Sequence, residues 1–300
     1  MTESRFKKNA RIRIGTREKK EFVRGYLAKY VGIKRSCKIM NISPNTLYYK
    51  PIDWKSKDAP VLRMIQDFLE QLPASGVPSV TDHLKKVMVI NKKRIERIMR
   101  ENGLINTKKR PKKAKTTDSD HKFHKYTNLI KGVKTTNLNQ IIVGDVTAYD
   151  IKGVNHYLAL LIDLHTREIV GAAISDKNDT NLVLGALDEA KKKRKILKGC
   201  IHHTDADVRY CSDKYVERLM DYGMQISMCV GNVYENAHAE SLNKTIKAGE
   251  INMSDYDSKE ESGFSIFGYV NKYNTLKPHS AHNGMSPAEF AASISKKKKK

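Results

Sequence analysis

The chain is poor in cysteine. Cys37, Cys200, Cys211 and Cys229 are the only four, and no two of them form a C-x-x-C pair. That spacing excludes a zinc ribbon and reads as small buried thiols in a reducing compartment. A metal role for Cys200 and Cys211 beside His202 and His203 fits no common ligand spacing. His121 and His124, in HKFH, lack a second ligand pair and read as surface residues. No stretch approaches the roughly 20 apolar residues of a spanning helix. The start, MTESRFKKNARIRIG, has no apolar segment of the secretory type. Negative charge is also scarce: 33 acidic residues stand against 56 Lys and Arg, for a net charge of +23. Such an excess predicts a polyanionic partner, because basic side chains that neutralise phosphates release condensed counterions. A cytoplasmic, nucleoid-associated location with no membrane partner is the expectation.

What is present falls into zones. Residues 1–55 are basic and helical in pattern. Within them VGIKRSCKIMNISPNTLYYK has Ile33, Cys37 and Met40 at helical spacing. Ser43 is placed as an N-cap with Pro44 at the first helical position, which predicts a helix-turn-helix-like DNA-binding unit. Residues 56–105 read as a second helical DNA-binding region. VLRMIQDFLEQL is amphipathic, and Asn91 caps a helix with Ile95, Ile98 and Met99 on one face and Gly103 at its end. Lys92, Lys93, Arg94, Arg97 and Arg100 decorate its other faces, with Arg94 a candidate phosphate contact. Residues 106–130 are a basic linker, in which Lys108, Lys109 and Arg110 are candidates for tracking a DNA backbone. Residues 293–300 read as a disordered lysine tail.

Residues 131–292 change to a strand-rich pattern. NQIIVGDVTAY, HYLALLIDL and EIVGAAIS read as an antiparallel meander, with a turn at Lys152-Gly153. HYLALLIDL is continuously apolar, as for a strand buried on both faces. DTNLVLGALDEAKKKRK is helical with Asp179 or Thr180 as its cap. GCIHHTDA is a strand, SDKYVERLMDYG a helix closed by Gly223, and MQISMCV a strand. The last major helix is placed from near Tyr234 to about Glu250. The order β-β-β-α-β-α-β-α predicts an α/β domain with a mixed five-stranded sheet flanked by helices, preceded by the all-α N-terminal region.

Three acids fall at telling places in that order. Asp145 is on the first strand, Asp205 ends the fourth, and Glu240 is on the helix after the fifth. Strand ends and a covering helix can converge, and three carboxylates at one point repel unless cations neutralise them. Hard divalent ions accept such oxygen ligands and leave room for phosphate. Two of them, about 3.5–4 Å apart, suit an in-line displacement at phosphorus. Asp163, in LLIDLHT, reads instead as a structural or turn residue.

The motifs make the chain resemble a DDE transposase of the IS-three group of bacterial insertion sequences (the second-frame product), with a retroviral-integrase-type core. The resemblance rests on Ile142–Thr147 at the first acid, His203–Tyr210 at the second, and Glu235-Asn236-Ala237-His238-Ala239-Glu240 followed by Lys247 at the third. Tyr273–His279 and Ser286–Phe290 match its C-terminal pieces, and KRIERIMRENGL and SCKIMNISPNTLYYK its helical units. It spans roughly residues 31–291. It implies a ribonuclease-H-like core and a polynucleotidyl transferase whose catalytic and metal-binding residues are Asp145, Asp205 and Glu240. It further implies two Mg²⁺ ions, with Mn²⁺ as a substitute, and double-stranded DNA as partner, both terminal inverted repeats and target. At least a dimer is implied, since two ends must be paired. Asn236, Lys244 and Lys247 become candidate DNA contacts, the two lysines because they lie four and seven residues after Glu240 on one helical face.

The chain departs from the family pattern at four points. Ile142 stands for its Trp, Gly144 for its Thr or Ser, Lys277 for its Arg, and Asp207 for the Gly after the second acid. The 34 residues between Asp205 and Glu240 are one fewer than usual. Glycine at 207 suggests a turn with φ > 0, which Asp tolerates better than most residues. Asp207→Gly is therefore expected to be tolerated or to improve activity. Two alternatives stay open: a catalytically inactive, transposase-derived DNA-binding repressor, and a stand-alone nuclease of the ribonuclease-H-like type.

Overall fold

The structure, a computed structural model, describes residues 15–49, 53–105, 121–195, 197–229 and 237–297. The chain divides into two compact units at Asp58/Ala59.

The first unit is helical. α1 (Thr16–Phe22) runs through a π-helical turn, Val23–Leu27, into α2 (Ala28–Val31). α3 (Ile33–Ile39) and α4 (Pro44–Tyr48) follow. Ser43 Oγ accepts from Thr46 N at 3.0 Å with Pro44 at the first helical position, so the expected cap is formed. Asn41, at φ 51, makes the bend between the two helices. The small core is Val23, Cys37 and Leu47, with Met40 and Ile42 packed on it. Ile33 is exposed, and Val23 from the preceding helical run fills the inward position instead.

The second unit is built on a five-stranded sheet in the order β3-β2-β1-β4-β5. β1 (Ile141–Ile151), β2 (Val154–Asp163) and β3 (Ile169–Ser175) form the antiparallel meander. Its first turn has Lys152 at φ 51 and Gly153 at φ 85, the two positive angles of a tight hairpin. β4 (Ile201–Asp205) and β5 (Gln225–Cys229) add in parallel on the other side of β1. This strand order, antiparallel then parallel about a central β1, is the ribonuclease-H-like arrangement.

Helices cover both faces. On one lie α5 (Trp54–Gln71), α6 (Val77–Leu84), α7 (Lys92–Glu101), α11 (Ala237–Ile246) and α12 (Lys259–Leu276). Ile65, Ile95, Ile98 and Met99 share this core with Ile141, Val143, Leu158, Leu160, Leu242, Ile266 and Tyr273. Residues 59–105 thus belong to the same core as the sheet. α8 (Thr180–Arg194), the short α9 (Val208–Cys211) and α10 (Asp213–Asp221) pack on the opposite face, with Leu187 and Tyr215 against Ile142, Val146 and Leu161. Asp179 Oδ1 accepts from Leu182 N at 3.1 Å and Asn91 Oδ1 from Lys93 N at 2.9 Å, so both caps are as the sequence predicts. α8 lies so close on β3 that a Cβ at Gly171 would stand 2.1 Å from the Ala186 carbonyl oxygen.

Among the described residues, two α-helices lie beyond the expected last one. α12 is 18 residues long, and α13 (Pro287–Lys297) extends helix into the segment expected to be a disordered tail. α12 buries Ser262, Ile266, Tyr269 and Tyr273, a helical spacing masked in the sequence by a serine, two tyrosines and the glycines 263 and 268.

Candidate active site

β1 and β4 bring the first two acids together. Ile141, Ile142 and Val143 pair with Ile201, His202 and His203 in parallel register. Carried two residues further, that register sets Asp145 level with Asp205 on the neighbouring strand, on one face of the sheet. The face is fixed by the alternation. Ile141 and Val143 point to the core that holds α11 and α12, whereas Ile142 and Val146 point to the other. Asp145 therefore faces α11, the helix that carries Glu240.

Electrostatics tie the three together. The Asp145 carboxyl is pushed up to about 7, first by burial, then by the negative charge of Asp205, with a smaller contribution from Glu240. Two hydrogen bonds oppose this: Oδ1 accepts from Val146 N and Oδ2 from Asn243 Nδ2, both at 2.8 Å. Asn243 is buried in α11, one turn after Glu240. Sequence reasoning missed it, since a lone Asn on a helix carries no catalytic signature.

The candidate lysines divide. Lys244 Nζ stands 3.7 Å from Glu240 Oε2 and is largely exposed. Lys247 opens a π-helical turn, Lys247–Ile251, and is partly buried. Burial lowers its pKa, and the charge of Asp145 acts in the opposite direction. Lys247 thus lies in the field of the first acid, while Lys244 pairs with the third. Arg94 is on α7, partly buried, on the helix that sends Ile95, Ile98 and Met99 into the core. Asn236, Lys108, Lys109 and Arg110 lie outside the described residues.

Asp207 takes a different place from the one expected. Its φ is −82 and ψ 148, an extended conformation open to any residue, so no left-handed turn is needed at this point. It is buried and caps α9 by accepting from Arg209 N at 3.0 Å. The same oxygen accepts from Arg209 Nε at 2.5 Å, and the Arg209 guanidinium also bonds Asn178. Arg209 lies in the field of Asp205 as well. Asp207 is thus matched to an arginine.

The histidines before Asp205 are structural. His202 Nε2 pairs with Tyr215 OH at 2.9 Å, and burial drives its pKa down to about 3, aided by His203. His203 Nδ1 pairs with Ser227 Oγ at 2.8 Å. The four cysteines are buried, and none is in a disulfide. Asp163 also proves structural: fully buried, it accepts from Asn139 N at 2.8 Å, His165 N at 2.9 Å and Thr166 N at 3.0 Å.

Among the described residues, no three His, Cys, Asp or Glu side chains are grouped tightly enough to hold one metal ion between them. The donor chemistry nonetheless suits hard divalent ions. Three carboxylates share one electrostatic field, and the upward push on the Asp145 carboxyl, from burial and then from the charge of Asp205, marks where positive charge is wanted. Among the described residues, no helix is long and apolar enough to cross a membrane.

Residues 136–231 match a family model described as Integrase core domain, and residues 222–287 match a second with the same description. The chain is 37% identical over 166 residues to the transposase for insertion sequence element IS904 of Lactococcus lactis, covering 54% of this chain and 66% of that protein. It is 30% identical over 219 residues to transposase InsF for insertion sequence IS3A of Escherichia coli, covering 72% of this chain and 76% of that one. Among solved structures it is similar to the HTLV-2 integrase catalytic core domain in complex with magnesium (trimeric form), at TM-score 0.44 and 19% identity. That match covers 53% of this chain and 99% of the other.

Proposed function

Because the chain belongs to the integrase-core DDE transposases of the IS3 group, we propose that it cuts and joins DNA at the ends of an insertion sequence, with Asp145, Asp205 and Glu240 as its catalytic carboxylates. The observation that carries this reading is the parallel register of β1 and β4, which sets the two aspartates level on the face that α11 covers.

The three carboxylates are the residues that would hold two Mg²⁺ ions. When bound, such ions activate the attacking oxygen and stabilise the leaving one. The chain supplies the rest. Asn243 orients the Asp145 carboxylate and leaves Glu240, one turn earlier on the same helix, directed to the same region. Lys247, beside Asp145, offers positive charge to a phosphodiester oxygen. Water serves as nucleophile for cleavage and the freed 3′-OH for transfer, so no covalent protein–DNA intermediate is required. The helix-turn-helix-like unit, with net basic charge, is suited to duplex ends. Pairing two ends calls for at least a dimer.

In the inactive-repressor alternative, Asp207 in place of the family's glycine would be a mark of decay. The buried pair with Arg209 speaks against that, since the aspartate has a matched partner and a capping role. The test is cleavage and strand transfer on duplexes bearing the element's ends, with Mg²⁺ or Mn²⁺. Asp145→Ala, Asp205→Ala and Glu240→Ala should each lose activity by at least about 100-fold. Wild-type activity in any of them removes that residue from the set. No product from the unaltered protein with either metal favours the repressor.

A further inference from the structure

A strap of chain before β1 runs past the second acid, and the proposed chemistry gives it no role. His121 Nε2 donates to the carbonyl oxygen of Ala206, the residue after Asp205, at 3.0 Å. Further along, Tyr126 packs against the α8–α10 core, and Leu129 N donates to Ser227 Oγ at 2.8 Å. That hydroxyl is also the partner of His203, two residues before Asp205. The strap is therefore pinned at one end to the residue that follows β4 and at the other to β5, beside the acid.

Between the pins, Lys122, Phe123, His124 and Lys125 are exposed. Phe123 keeps 39% of its surface in solvent, although its ring is 5.7 Å from that of His121. His124 stands edge-on to Tyr126 at 4.7 Å. Phe123 is the only large apolar residue between Ile105 and Tyr126, so it is not there to complete a core. Lys125 acts on the Cys211 thiol, which also feels Asp207 and Asp205; the lysine's charge thus reaches the neighbourhood of the acid. Aromatic rings interspersed with lysines along an exposed segment without helix or strand are the elements of a single-strand platform: bases stack on the rings and phosphates meet the lysines. A duplex offers no free base face to a ring lying outside its grooves. A cut end that has frayed does.

We propose that His121–Tyr126 binds unpaired DNA nucleotides next to the scissile phosphate, with Phe123 as the stacking ring and Lys122 and Lys125 as phosphate contacts. This rests on the reading of Asp205 as part of a DNA-processing site. It adds that the end is held melted, and that the strap holds the displaced bases.

The test uses the full chain in EDTA, where binding is read without cleavage. Two probes share one duplex; one is blunt, and the other carries a 3′ tail of about six deoxyadenosines containing 2-aminopurine. The unaltered protein should prefer the tailed probe and change the 2-aminopurine fluorescence as the base stacks. Phe123→Ala should weaken tailed-probe binding about tenfold and abolish the fluorescence change, with blunt-probe binding intact. Phe123→Trp should restore both. Lys122→Ala with Lys125→Ala should lower the salt slope on the tailed probe by about 1.4, or about 0.7 for each contact. Equal affinity for the two probes, or equal weakening of both by Phe123→Ala, overturns the proposal. A Phe123-dependent preference in a protein that never cuts DNA leaves the strap standing and removes the catalytic reading. Cleavage with no such preference does the reverse.

Discussion

Asn243 Nδ2 donates a 2.8 Å hydrogen bond to Oδ2 of Asp145, across 98 residues of sequence. One side chain thus ties the helix of the third acid to the strand of the first. A hydrogen bond to a charged group contributes about 1.5–3 kcal/mol, so Asn243→Ala should slow strand cleavage about 10- to 100-fold while the fold survives. Asn243→Asp should do worse, because it replaces a donor with a fourth negative charge in the same field. Single-turnover cleavage beside circular dichroism checks both.

The Asp145 carboxyl, pushed up to about 7 by burial and then by Asp205, makes metal-free stability depend on pH. In the unfolded chain the same group ionises near 3.9. Its contribution is fully present below that value and is lost as pH rises through about 7. Thermal unfolding in EDTA should show the melting temperature falling between pH 5 and pH 8, with a flatter slope in Asp145→Asn. Adding Mg²⁺ at pH 8 should restore stability, since a ligand of the native state alone stabilises it.

Asp207→Gly, which the sequence alone marks as tolerated or improving, should be damaging. It removes the carboxylate that faces the Arg209 guanidinium in a buried site, at a cost of about 3–5 kcal/mol. Removing both charges, as Asp207→Gly with Arg209→Met, should recover part of that loss. Chemical denaturation of the two variants decides it; a neutral single variant refutes the role of the pair.

Gly144 fills the place where relatives in the resemblance carry Thr or Ser. A Cβ there would stand 2.8 Å from Leu161 Cδ2 and 3.2 Å from His202 Cε1 and Thr204 Cγ2. Gly144→Thr should therefore destabilise by about 1–3 kcal/mol. Adding Leu161→Ala, which removes the nearest atom, should make the threonine less harmful than it is alone, as a double-mutant cycle would read.

Much of this was legible because local chemistry and tertiary structure agree. Ser43, Asn91 and Asp179 cap helices where polar residues precede apolar periodicity. The apolar run of β2 is buried on both faces, apart from its first residues. Asp163 was separable from the acids by its motif, and its three backbone donors explain why it is there. Other features depend on distant partners. α12 has buried polar and glycine positions whose periodicity a hydrophobic pattern does not register. Asn243 acquires its role only when α11 meets β1. The backbone at Asp207 could not be inferred from a family glycine, because glycine also occupies extended positions. Lys244 and Lys247 share a face in an ideal α-helix, but only the assembled structure shows Lys244 exposed near Glu240 and Lys247 partly buried in the field of Asp145.

The parallel pairing of β1 with β4 also sets a timetable. The β1–β2–β3 meander has short turns and can form as soon as it leaves the ribosome, already displaying Asp145. Parallel pairing must wait for the α8 crossover, and Asp205 is 60 residues behind Asp145. Glu240 and Asn243 come later still, on a helix that cannot dock until β5 is made. The chemistry proposed for these acids is out of reach of a chain that stops short of α11. The proposed site is therefore a product of the last folding steps, assembled only after β4, β5 and α11 have joined the meander.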